Sequence, residues 1–298
     1  MRNQITSGEA LWQWRQQARR EAIAAAIATS EVDWLLQAVS ALEPLQLKLE
    51  TFKTQPTIPL AYSLEQLTLR WQQRINQRVP VQYLAGLAHW RSFTLVVSPA
   101  VLIPRPETEL MIDLAIAAAQ HTDLAHGDWA DLGTGSGAIA LGLAEVFPAA
   151  TVHAVDCSEA ALAIARQNAQ MAGFTNRIQC HSGSWFQPLT QLQGSLSGMV
   201  SNPPYIPTAI LPGLQPEVSR HEPHLALDGG DDGLVYVRHL VACAPTYLKN
   251  GGFWLVELMA GQAIAVAGLL ETDGHYQAIQ IHRDLAGIER FVSATRKP

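Results

Sequence analysis

The chain has 298 residues, 48% hydrophobic and 15% charged, which is enough apolar material for two packed cores and too much for a disordered chain. Residues 1–80 hold nine Lys and Arg against seven Asp and Glu, and the remainder eleven against nineteen; so acidic a larger part argues against a general duplex-binding surface. No run approaches the roughly 18 apolar residues of a membrane-spanning helix, and Met1-Arg2-Asn3-Gln4 has no apolar signal core, so a cytoplasmic location is expected.

Residues 1–80 read as helical throughout. Leu11, Trp12, Ala18 and Ile23 fall near helical spacing, as do Val32, Leu35, Leu36 and Val39. Ser63-Leu64-Glu65-Gln66 has the form of a capping box opening a helix as far as Arg78. Trp12, Trp14, Trp34 and Trp71 read as core anchors of a small bundle. Residues 81–106 change texture: 89–97 is β-rich and suits a hairpin connector. Pro104-Arg105-Pro106 then forces an extended approach into a helix over 107–120, with Glu107 and Glu109 in its first turn.

From residue 129 strands and helices alternate. Strands are predicted over 129–132, 151–155, 177–181, 196–201 and 253–258, with helices over 137–146, 158–172, 231–248 and 262–270. Residues 276–282 and 290–294 suit a final antiparallel pair. This alternation implies a doubly wound, mostly parallel sheet with an antiparallel addition at its edge.

Asp131-Leu132-Gly133-Thr134-Gly135-Ser136-Gly137 joins the first strand of that sheet to its helix. Glycines permit positive φ and close approach of a ligand to the backbone, at the sheet edge where ligands bind. Asp156, 23 residues after Gly133 at the next strand end, can hold ribose hydroxyls. Gly133, Gly135 and Ala138 also satisfy the dinucleotide pattern. Asp131 would sit poorly beside a pyrophosphate and suits a cationic ligand such as S-adenosylmethionine. Trp185, after the third strand, offers a face for adenine.

Asn202-Pro203-Pro204-Tyr205 follows the fourth strand. Its prolines lack N–H groups and hold the chain extended, leaving carbonyls free to accept. With the Asn202 amide oxygen and the Tyr205 ring, the turn suits a planar –NH2 group. Cys157, Cys180 and Cys243 show neither metal nor redox spacing and read as buried thiols. His221 and His224, the closest histidine pair, read as surface groups rather than ligands, so no metal is expected.

These motifs, with Val101-Leu102-Ile103-Pro104-Arg105-Pro106-Glu107-Thr108-Glu109 ahead of them, resemble the bacterial release-factor glutamine methyltransferases of the PrmC/HemK type. Asn-Pro-Pro-Tyr alone is not specific, because adenine-N6 methyltransferases of DNA or RNA carry it too. The resemblance implies a class I S-adenosylmethionine-dependent methyltransferase fold over 107–298, α/β and Rossmann-like, after a helical substrate-recognition domain, 1–80. It implies methyl transfer to N5 of the glutamine in the Gly-Gly-Gln motif of class I release factors. Gly133, Thr134, Gly135, Ser136, Gly137, Asp156, Trp185 and Asn202 would bind the cofactor, and Asn202, Pro203, Pro204 and Tyr205 the glutamine, with catalysis assigned to Asn202, Pro203 and Tyr205. Many relatives have Asp where this chain has Ser184, which puts cofactor affinity rather than identity in question.

Overall fold

The computed structural model describes residues 4–298; Met1–Asn3, part of the segment read for a signal core, lie outside them. The chain divides into two compact units, residues 1–87 and 88–298.

The first unit contains β1 (Gln4–Thr6), α1 (Gly8–Ala24), α2 (Ser30–Val39), α3 (Pro44–Leu49), β2 (Ile58–Leu60), α4 (Leu64–Gln77) and α5 (Val81–Ala85). Its core is built on Leu11, Leu35, Leu36, Phe52 and Trp71. Trp71 is buried, whereas Trp12, Trp14 and Trp34 pack on the core only half-buried. Trp12 and Trp14 keep their indole N–H groups for Glu50 at 2.9 Å and Thr68 at 3.0 Å. The capping box forms: Gln66 N donates to Ser63 Oγ at 3.2 Å and Ser63 N to Gln66 Oε1 at 3.0 Å. Arg15, 3% exposed, is held between Asp33 at 2.6 Å and Glu50 at 2.8 Å. The unit is not helical throughout, since β1 and β2 pair antiparallel. Ile58 and Leu60 turn inward around an exposed Pro59, and Pro59, lacking an N–H, is tolerated on an edge strand.

The second unit opens with β3 (Leu87–Trp90), whose first residue closes the first unit, and β3 and β4 (Phe93–Val96) form a two-stranded sheet. Then follow α6 (Leu110–Ala119), β5 (Asp128–Leu132), α7 (Ala138–Val146), β6 (Thr151–Asp156), α8 (Glu159–Met171), β7 (Ile178–Ser182) and β8 (Leu196–Ser201). The rest comprises α9 (Pro216–His221), α10 (Val235–Tyr247), β9 (Leu248–Glu257), α11 (Ala263–Asp273), β10 (Tyr276–Arg283) and β11 (Glu289–Arg296). Seven strands lie in the order β10-β11-β9-β8-β5-β6-β7. Neighbours from β7 to β9 are parallel, and β11 is antiparallel to both β9 and β10.

One face carries Ile112 of α6, Leu141 of α7 and Ala169 of α8. The other carries Leu240 of α10 and Val266 of α11 over Met199 and Trp254. Covered on both faces, the central strands are apolar along their length, as parallel strands must be. The chain begins this sheet at β5, adds β6 and β7 on one side, then returns to add β8 and β9 on the other. That reversal opens a crevice at the carboxyl ends of β5 and β8, where this architecture binds ligands.

Candidate active site

A cavity of about 330 Å³ lies within the second unit at that crevice. Gly133, Thr134, Gly135, Ser136, Asp156, Trp185, Asn202 and Pro204 all line it. Gly137, Pro203 and Tyr205 do not.

The glycine loop is shaped from within the protein. Gly133, Gly135 and Gly137 have φ of 77°, 53° and 82°, the left-handed region that side chains resist. At Gly137 a Cβ would also meet that of Ala165 at 3.2 Å. Gly137 begins α7 but has no side chain to cap it. Asp131 supplies the cap from β5, its Oδ2 accepting from Ala140 N at 3.0 Å and from the Thr134 hydroxyl at 2.6 Å. Asp131 is fully buried and does not line the cavity, so it meets no ligand directly, contrary to the sequence expectation. Burial pushes its carboxyl up to about 7, and Oδ1 has no hydrogen-bond partner among the described residues. Its hydrogen bonds to Thr134 and Ala140 organise the loop itself. Asn168, 2% exposed, braces the same turn by donating to Ser136 O at 2.9 Å.

Asp156 ends β6 with both oxygens engaged: Gly135 N donates to Oδ2 and Ser158 N to Oδ1, each at 2.9 Å. A carboxylate oxygen has a second lone-pair direction, so two hydroxyls can still be accepted. Trp185, with φ of 52°, lies over Gly133, 3.7 Å from where a Cβ there would stand, and 5.3 Å from the Tyr236 ring. A Cβ at 133 would only touch the indole at ordinary van der Waals distance, so the positive φ rather than the indole calls for glycine there.

At the end of β8, Asn202 Nδ2 donates to the Thr108 hydroxyl at 3.3 Å. Neither Asn202 Oδ1 nor the Pro203 carbonyl accepts a hydrogen bond among the described residues. Tyr205 turns away from the cavity and donates to Glu257 Oε1 at 3.3 Å. Burial raises the tyrosine pKa, and the Glu257 charge raises it further. Burial also pushes the Glu257 carboxyl up to about 7. Arg105 lines the cavity and pairs with Glu222 at 2.6 Å, tying the two segments that flank the acceptor end.

Sequence reasoning missed Tyr236, Leu225, Asn168 and Glu257. Glu257 had a signal, a lone acid closing an apolar strand. Tyr236 and Leu225 had none, because only folding carries them to the cavity. Of the turn 107–109, Thr108 rather than either acid lines the wall. Cys157 is exposed at the cavity edge, not buried as expected, because it follows the last residue of β6, where the sheet opens. Among the described residues, no three His, Cys, Asp or Glu side chains come together as a metal site, and no helix is long and apolar enough to cross a membrane.

Residues 112–209 match the family model described as the methyltransferase small domain. The release factor glutamine methyltransferase of Synechocystis sp. is 55% identical over 99% of both chains. That of Thermosynechococcus vestitus is 48% identical over 97% of this chain and 99% of its own. The crystal structure of the hMettl16 catalytic domain in complex with the MAT2A 3′UTR hairpin 6 shares the fold, at 11% identity over 88% of each chain with a TM-score of 0.56. The methyltransferase family model and these relatives imply S-adenosylmethionine as the methyl donor. Fold, cavity and near full-length identity agree that this chain belongs to the release factor glutamine methyltransferase family.

Proposed function

We propose that the chain methylates the side-chain amide nitrogen of the glutamine in the Gly-Gly-Gln motif of class I peptide chain release factors. The observation that carries this reading is the free acceptor Asn202 Oδ1 in a cavity also lined by the glycine loop, Asp156 and Trp185, with the unused carbonyl of Pro203 next to it in the chain.

Bound S-adenosylmethionine supplies an electrophilic methyl group. Gly133 to Gly137, Asp156 and Trp185 would hold it, and Asn202 would touch both it and the glutamine. An amide nitrogen is a weak nucleophile because its lone pair is delocalised into the carbonyl. Asn202 Oδ1 and the Pro203 carbonyl would each accept one N–H of the acceptor amide. Both acceptors place negative potential where positive charge develops on nitrogen, so they stabilise the transition state more than the ground state. Holding the nitrogen in line with the methyl group can remove about 7–11 kcal/mol of the barrier. The Pro203-Pro204 backbone contributes stiffness, and Tyr205, anchored on Glu257, fixes the end of the turn.

The helical unit is assigned to recognition of the release factor. Its slightly basic balance, set against the acidic remainder, supports a separate role. The relatives' names favour a protein acceptor over an adenine, although both present a planar –NH2 group. The test is to incubate the protein with methyl-labelled cofactor and a release factor, with the motif Gln→Ala as control and adenine-containing oligonucleotides in parallel. Label is expected on the Gln-containing release factor alone; label confined to nucleic acid would overturn the assignment.

A further inference from the structure

We propose that Thr108 and Glu257 form a positioning pair that holds the Asn202 amide with its oxygen toward the acceptor. The proposal rests on the role given to Asn202 above. Ser201 of β8 pairs in register with Val256 of β9, so the next residues, Asn202 and Glu257, stand side by side at the carboxyl edge of the sheet. Thr108, 4% exposed, accepts from Asn202 Nδ2 at 3.3 Å and is near enough to the Glu257 carboxyl to favour its charged form, without a formed hydrogen bond to it. Glu257 is 1% exposed, and its Oε2 makes no formed hydrogen bond among the described residues.

A hydroxyl has one proton to donate. When Glu257 is ionised it can only accept, so the Thr108 proton can turn to the unpartnered Oε2 while the Thr108 oxygen accepts from Asn202. The amide then presents Nδ2 to Thr108 and Oδ1 to the cavity. When Glu257 is protonated the chain of donors can reverse. Thr108 then donates to Asn202 Oδ1, and the amide turns its –NH2 outward, where it repels the acceptor –NH2. The groups facing the carboxyl are Tyr205 after β8, Thr108 and Glu107 ahead of α6, and Arg290 of β11, itself paired with Asp284 at 2.7 Å. Burial outweighs Arg290 and raises the carboxyl to about 7. The productive orientation is therefore present above that pH and lost as pH falls through it.

The test measures kcat and KM for a release factor across neutral pH, with cofactor affinity by calorimetry, in Thr108→Val, Thr108→Ser, Glu257→Gln and Asn202→Ala. Thr108→Val should lower kcat about tenfold to a hundredfold, the usual effect of losing a group that orients a reacting one. Cofactor affinity should hold, and Thr108→Ser should restore kcat. Glu257→Gln, whose amide can donate, should lower kcat and abolish its acid limb. Wild-type kcat in Thr108→Val beside an impaired Asn202→Ala overturns the positioning pair alone. Loss of cofactor affinity with kcat in Thr108→Val, or an unchanged acid limb in Glu257→Gln, also overturns it. Wild-type kcat in Asn202→Ala overturns the role of Asn202 and this proposal with it.

Discussion

Replacing Asp156 with asparagine keeps the shape of the side chain and removes its charge. In the structure Oδ2 receives Gly135 N and Oδ1 receives Ser158 N, both at 2.9 Å. Asparagine turns one of these oxygens into an –NH2, which faces a backbone N–H donor to donor. The ribose loses a charge-assisted partner, worth about 1.5–3 kcal/mol, and one hydroxyl keeps a neutral one. The net cost to cofactor binding is about 2–3 kcal/mol, or a thirtyfold to hundredfold rise in Kd. Calorimetry reads that rise. Thermal unfolding without cofactor reads the separate cost of the displaced backbone N–H, about 1 kcal/mol or 2–4 °C in Tm for a unit of this size. A Kd within about threefold of wild type, in a folded variant, would refute the reasoning, since the carboxylate charge would then not be used by the ribose.

Ser184→Asp should tighten cofactor binding by about 1 kcal/mol, near fivefold, because a charged acceptor replaces a neutral hydroxyl at the cavity edge; calorimetry showing equal or weaker binding would sink this. Trp185→Ala should weaken the cofactor by the roughly 1–3 kcal/mol of one base stacked on an aromatic, with little change in KM for the release factor. Gly233→Ala should lower Tm by several degrees. Its φ is +76°, and a Cβ would stand 2.2 Å from the Tyr205 carbonyl, so the turn after Pro204 must move, at about 2 kcal/mol. An unchanged Tm would show that the loop accommodates the methyl without strain.

Much of the site is local and therefore legible. The glycine loop, the acid 23 residues after Gly133 and the Asn-Pro-Pro-Tyr turn each owe their form to neighbours within a few residues. Alternating strands and helices place all three at one sheet edge by topology alone. The Ser63 capping box forms because its four residues need nothing else. What misled is long-range. Gln4–Thr6 becomes a strand only because Ile58–Leu60 comes to meet it. Asp131 turns inward because α7 starts on a glycine and needs a cap that its own sequence lacks.

The sequence by itself determined the fold class and the local form of the glycine loop and of the Asn-Pro-Pro-Tyr turn, since these depend on backbone freedom and fixed φ angles. Only the tertiary structure decided which groups stand behind that turn. Glu257 lies 55 residues from Asn202 and reaches it through the register of β8 on β9, and Thr108 comes from the opposite direction in the chain. Strand register and burial are properties of the packed sheet, and burial is what turns a carboxyl at the end of an apolar strand into one that titrates near 7.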